Sequence, residues 1–181
     1  MRALFAGAVV VLAAACGGLD NRPLLTGAVS GRAVECDDEG IVGIVGDMST
    51  RIALDSTCAF RIEGLDPGAH QLFIAPTAKK VALVDVSVRA TELTEVGDVT
   101  GRPGAFARVQ VSAPGNPELQ GQVIAPDLPI SSSPVGRSGM ARIGPFPQGC
   151  FRIEVTMQNL GKKALMSCLS EGEEKSLDVV Y

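Results

Sequence analysis

From residue 60 onward much of the chain is written in a two-residue period. Phe60 and Ile62 alternate with Arg61 and Glu63, and Val84, Val86 and Val88 alternate with Asp85, Ser87 and Arg89. Successive side chains of a strand point to opposite faces, so this spacing puts apolar residues on one face and polar residues on the other. The pattern predicts half-buried strands within residues 61–88. It returns in Ala107, Val109 and Val111 against Arg108, Gln110 and Ser112, and in Phe151, Ile153 and Val155 against Arg152, Glu154 and Thr156. Turn residues interrupt it at roughly 8 to 12 positions, the rhythm of a β-sandwich rather than of alternating helices and strands. A helix needs apolar residues three and four apart over about a dozen positions, and such a segment is expected only at the opening of the chain. The expected fold is all-β.

An internal repeat divides it. Arg61-Ile62-Glu63-Gly64-Leu65-Asp66-Pro67-Gly68 leads into an apolar strand, Lys79-Lys80, a valine-rich strand, an acidic turn at Glu92 and a last strand ending near Val99. The same order follows from Arg142-Ile143-Gly144-Pro145-Phe146-Pro147-Gln148-Gly149: a strand from Cys150, Lys162-Lys163, residues 164–169, an acidic turn at 170–174 and residues 177–180. Two tandem small sandwiches are expected, at residues 24–100 and 101–181, with the boundary at the Gly101-Arg102-Pro103-Gly104 turn.

The stretch from Gly64 through Leu65, Pro67 and Gly68 into an aliphatic strand resembles the carboxypeptidase regulatory-like domains, small transthyretin-like (prealbumin-like) sandwiches. Asp55 and Phe60 match the family's preceding motif, with Cys58 in place of its glycine. The second copy keeps Gly139, with Gly136 for the Asp and Ala141 for the Phe, so its assignment rests mainly on the repeat. These motifs report turn geometry. Pro67 presets φ near −65° and Gly68, like Gly149, can take positive φ, so a tight hairpin is expected there. Such a resemblance specifies a fold and leaves function to the site.

The first fifteen residues run from Arg2 through an apolar stretch to Ala13-Ala14-Ala15 and Cys16, the order of a secretory signal. The apolar run falls short of the roughly 20 residues needed to span a bilayer. Small residues directly before a cysteine resemble the lipobox of bacterial lipoproteins. That resemblance implies cleavage after residue 15, lipid on Cys16, a short tether over residues 16–23, and, with Gly17 following, the outer membrane. The implied partner is a membrane held through the N-terminal lipid.

Composition narrows the functions. Of 181 residues, 46% are hydrophobic and 20% charged, enough for a packed core. The net charge of -4, without a clustered basic stripe, argues against nucleic acid as a partner. There is no Trp and one Tyr, which disfavours an aromatic platform for stacking sugars or bases.

With Cys16 given to lipid, four cysteines remain, and an even number in an oxidising compartment points to disulfides with three possible connectivities. One bridge per sandwich is favoured, Cys36–Cys58 and Cys150–Cys168; free buried thiols are the alternative. Cys36 shares parity with Val34, and Cys58 with Phe60 and Ile62, so both are expected to point inward. Cys150 shares parity with Arg152 and Glu154 and is expected to face outward.

Catalytic chemistry finds little to work with. His70 is the sole histidine, too few for a His-rich metal site or for the two-histidine apparatus implied by transthyretin-like hydrolases. It follows Pro67-Gly68 with no nucleophile motif nearby and reads as a solvent-facing strand or turn residue. Asp37-Asp38-Glu39, with Asp47 or Asp55, could offer oxygen ligands to calcium, but acidic turn residues more simply solvate a loop. Glu171, Glu173 and Glu174 read as a hairpin tip, and the Lys pairs as charges that discourage strand pairing. No cofactor, metal or catalytic residue is expected. The sequence points to a non-enzymatic, membrane-anchored envelope protein acting as a binding module for protein or polysaccharide, or else as a structural spacer in an envelope complex.

Overall fold

A computed structural model describes residues 25–115 and 119–181. The signal segment, Cys16 and the whole tether lie outside the described residues. The described chain forms strands and, among those residues, no helix. The first sandwich holds β1 (Gly27–Ala33), β2 (Ile41–Ile44), β3 (Asp47–Ala53), β4 (Ala59–Leu65), β5 (Gly68–Thr77), β6 (Lys80–Val88), β7 (Leu93–Val99) and the short β8 (Arg102–Pro103). The second holds β9 (Ala105–Ser112), β10 (Gly121–Ile124), β11 (Ser133–Val135), β12 (Met140–Phe146), β13 (Gly149–Met157), β14 (Gly161–Leu169) and β15 (Glu174–Val180). In the first, a sheet of order β4-β1-β7 faces one of order β3-β2-β5-β6-β8. In the second, β12-β9-β15 faces β11-β10-β13-β14.

The two copies share one topology. β1 pairs antiparallel with β4 and parallel with β7, and β9 does the same with β12 and β15. Strands β4 to β7 begin at Ala59, Gly68, Lys80 and Leu93, and β12 to β15 at Met140, Gly149, Gly161 and Glu174, a constant offset of 81 residues. Backbone strain follows the same offset: φ is 62° at Cys58 and 77° at Gly139, 146° at Gly68 and 149° at Gly149, and 62° at Thr91 and 69° at Gly172. These positive-φ positions recur at matching turns of the two copies, where they help redirect the chain. The Lys pairs, expected as matching landmarks, do not share a place: Lys80 opens β6, whereas Lys162 and Lys163 lie inside β14, opposite Thr156 and Val155.

The Pro67–Gly68 turn is a corner rather than a hairpin. β4 belongs to the three-stranded sheet and β5 to the five-stranded one, so the turn carries the chain across the sandwich. Gly149 does the same between β12 and β13. The Gly101–Gly104 turn also does more than separate the copies, since Arg102 and Pro103 pair with Val81 and Lys80 and extend the first sandwich.

The cores explain the strand patterns. Val29, Phe60, Ile62, Leu72, Ile74, Val86 and Val88 fill the first. β5 departs from alternation because it is buried on both faces: Leu72 and Ile74 point into that core, while Phe73 and Ala75 join the second. The loop over residues 125–130 makes this possible. It carries Leu128 and Ile130, 1% and 3% exposed, into a cluster with Phe73, Val81, Phe146 and Ile153. Each such fully buried side chain stabilises by about 1.5–3 kcal/mol relative to exposure. Hydrogen bonds from the Gly46 amide to the Asp127 carbonyl (2.9 Å) and from Arg51 to the Ser131 hydroxyl (2.8 Å) hold the loop in place. Gly43 permits the close approach, since a Cβ there would sit 2.7 Å from Cβ of Pro129. The core of the second sandwich therefore extends across the junction onto the first, taking in Phe73, Ala75 and Val81, with β5 between the two cores.

Candidate functional site

Both disulfides lie away from the cores. Cys36 and Cys58 are joined with a Cα–Cα separation of 5.5 Å. Neither occupies the inward strand position expected from parity, because β1 ends at Ala33 and Cys58 sits in the left-handed turn before β4. Val34, whose parity was the guide, is 60% exposed. The bridge instead ties the strand-exit loop to that turn. Cys150 and Cys168 are directly opposed on β13 and β14 and joined on the exposed face of the sheet.

The acidic residues are mostly bound by their own turns. Asp55 accepts hydrogen bonds from the Thr57 amide (2.8 Å), the Thr57 hydroxyl (2.7 Å) and the Ala59 amide (2.9 Å). Those bonds, the Thr57 hydroxyl first, lower its pKa. Asp47 caps the start of β3 through Ser49 and Thr50, whose hydroxyls hold its pKa down to about 2. Asp37 accepts from the Glu39 amide at 3.0 Å. Among the described residues, no three His, Cys, Asp or Glu side chains are grouped as metal ligands. His70 is half-buried on β5, and its Nε2 lies 2.7 Å from the Asp66 carbonyl, which ties the ring to the Pro67–Gly68 corner.

Glu154 is the one fully buried carboxylate among the described residues, 2% exposed despite its polar-face parity. Lys162 and Arg152 pair with it. The hydrogen bond from Lys162 is the main cause lowering its pKa, with Arg152 adding to it and burial opposing. Glu174, expected at a solvated hairpin tip, opens β15 and bridges Arg142 (3.0 Å) and Arg108 (3.1 Å), which keep its pKa low. Arg142 also lies over the Phe106 ring, 3.4 Å from its centroid.

Two open grooves flank the junction of the sandwiches. One, of 550 Å³, is lined by Asp38, Glu39 and Arg51 of the first sandwich and by Phe106, Ser131 and Arg142 of the second. The second, of 510 Å³, runs along β6 between β7 and the β12–β13 corner, with Arg102 and Glu171 at one end. Arg102 and Glu171 are 3.7 Å apart and largely exposed, so their pairing contributes little stability. Of the residues the sequence singled out, Asp38 and Glu39 line the first groove and Glu171 the second, while the disulfides, His70, Gly68 and Gly149 line neither. The available signal was the apolar run Ala125-Pro126-Asp127-Leu128-Pro129-Ile130, which fits neither a helical nor a strand period yet is too greasy for an exposed loop.

No protein-family model and no curated protein matches the chain. Solved structures with tandem all-β domains are similar over most of its length. They include the TIE protein of Bacillus anthracis, at 10% identity and a TM-score of 0.35 over 86% of this chain and 34% of that one. The chain thus spans about a third of that protein. A minor pilin of Streptococcus agalactiae is similar at 8% identity and a TM-score of 0.33, covering 85% of this chain and 94% of the pilin. A variant of the major pilin subunit of Bacillus cereus is similar at 7% identity and a TM-score of 0.31, covering 86% and 99%.

Proposed function

We propose that the chain is an exported envelope protein, anchored by lipid on Cys16, whose fused sandwiches act as a non-enzymatic interaction module for a protein or polysaccharide partner. The observation that carries this is the fused core. It fixes two grooves at the domain junction, where both copies contribute walls, and a preformed concave surface costs little ordering on binding. Export is supported by the two disulfides, which persist in oxidising compartments. Arg142 stacked on Phe106 and Arg51 beside Ser131 give one groove cationic hydrogen-bond donors on rigid strands, the kind of polar contact that fixes a ligand's orientation.

Two measurements test the proposal. Mass spectrometry of the mature protein should find diacyl- or triacyl-Cys16 as the first residue; an unmodified or differently cleaved N-terminus removes the anchor. Capture from solubilised envelopes and on immobilised polysaccharide should return one partner class, and loss of binding in Arg142→Ala would place it at the junction. A second reading, a rigid spacer within an envelope complex, is favoured by the same fused core. It predicts a stoichiometric protein complex that survives changes in both grooves.

A further inference from the structure

We infer that the free edge of β6 accepts an extended peptide segment of a partner protein as an added strand, in line with β8. The inference rests on the interaction-module reading above and assigns its partner chemistry. β6 pairs with β5 along its length on one side, but on the other only Lys80 and Val81 are covered, by Pro103 and Arg102 of β8. At the far end, the Thr94 hydroxyl donates to the Ser87 carbonyl at 3.2 Å, bringing β7 over that part of the edge. Between these closures, residues 82–86 have no strand beside them among the described residues.

The 510 Å³ groove lies along this gap. Val81, Ala82, Leu83 and Val84 all line it, and four consecutive residues of a strand can share a groove only when the strand is met edge-on. The inner wall is Val96 and Val99 of β7, and the outer wall is Pro147 and Gln148 from the second sandwich. An antiparallel strand of about five residues would therefore place alternate side chains against Val84 and Val96 and the others against Leu83 and Pro147.

The repeat shows that the middle of this edge lacks the lysines of its counterpart. The residues of β14 at the same place, 81 positions on from Val81 and Ala82, are Lys162 and Lys163. Lysines on an edge oppose strand pairing, and these two are held there, Lys162 by Glu154 and Lys163 by the Val180 carbonyl and the Tyr181 ring. β6 has an apolar pair instead, followed by Leu83, which is 37% exposed. The same fold thus protects one edge and leaves the other open, with a slot beside it. The occupant is an extended, proline-free segment with apolar or β-branched residues at alternate positions, since it must complete a backbone ladder and meet Val84, Val96 and Leu83 in a slot that also carries Asp98, Arg102 and Glu171.

The test uses the full mature chain in detergent and an acetylated, amidated peptide of alternating Thr and Val, six residues long. Hydrogen exchange by NMR should show amides within residues 82–86 slowed at least tenfold at saturating peptide. A version of the peptide N-methylated at two adjacent central residues, so that neither of its edges keeps a full set of donors, should bind at least tenfold more weakly. Ala82→Lys, which copies Lys163, should cost at least tenfold in affinity, and Leu83→Lys, at a part-exposed position, serves if that variant does not fold. Equal binding of the N-methylated peptide, protection elsewhere than residues 82–86, or no protection overturns the assignment. The peptide arm needs no native partner, so its failure is distinct from a failure to recover one from envelopes.

Discussion

The turn before β4 and the turn before β12 occupy the same place in the two copies, yet one is held by Cys58 and the other by Gly139. Both have left-handed backbone, and both pass the chain back through matching hydrogen bonds, Cys58 to the Asp55 carbonyl at 2.8 Å and Gly139 to the Gly136 carbonyl at 2.8 Å. The first copy adds Asp55 as a side-chain cap and a disulfide to Cys36; the second has neither and puts its disulfide on a strand pair. A shared topology therefore depends on backbone geometry and apolar alternation, while staples and charges vary freely around it. The contrast extends to the edges, where β14 carries Lys162 and Lys163 at the places that Val81 and Ala82 hold in β6.

The largest expected effect comes from removing what the copies hold in common. Phe73→Ala should destabilise by about 3–5 kcal/mol in denaturant unfolding, the range for deleting a fully buried aromatic. Because Phe73 leaves the first sandwich to join the second core, probes in both copies should shift together. A shift confined to one copy would show that they are packed independently.

Next comes the disulfide that distinguishes the first copy. The bridge closes a separation of 22 residues, and its loss in Cys36→Ser should cost about 3 kcal/mol. In that background, Cys58→Gly should be more stable than Cys58→Ser by about 1 kcal/mol, because glycine relieves the left-handed strain that Gly139 avoids in the second copy. Equal stabilities would mean that the turn geometry is not shared.

A smaller reciprocal test uses Thr91 and Gly172. Thr91→Gly should raise stability by about 1 kcal/mol, and Gly172→Thr should lower it by a similar amount, since left-handed φ penalises a β-branched residue. Thermal melts of the two single variants read the difference.

The pattern of the chain made the strands and the repeat legible, and residues such as Val109, Val111, Ile153 and Val155 are buried as alternation requires. The corners were not legible as corners. Pro67 and Gly68 specify a reversal but not whether the next strand stays in the same sheet, which depends on which edges β1 and β2 present. Inward parity failed for Cys36 because a period of two holds only within a strand, and β1 stops before it. Glu154 has a polar position in the sequence and a buried one in the fold, because Arg152 and Lys162 reach over it. The junction grooves were hidden for a similar reason: they arise from contacts between copies, and no spacing within either one encodes them.

The smallest effect is on pH dependence. Asp47 has its pKa lowered from 3.8 to about 2 in the folded chain by Ser49 and Thr50. A depressed carboxylate contributes stability that is fully present above the unfolded value and is lost as pH falls through the folded one. The loss should therefore fall between pH of about 4 and about 2, and Asp47→Asn should make the melting temperature fall less steeply over that window, with Asp55, Asp98, Glu154 and Glu174 supplying the rest. An unchanged slope would mean that the β3 cap does not form in solution.

Scanning calorimetry of the mature protein with both disulfides intact tests the fused core most directly. A core shared by two copies predicts a single transition whose calorimetric and van't Hoff enthalpies agree. Two separated transitions, each with its own enthalpy, would contradict it and dissolve the junction on which the proposed binding surfaces depend.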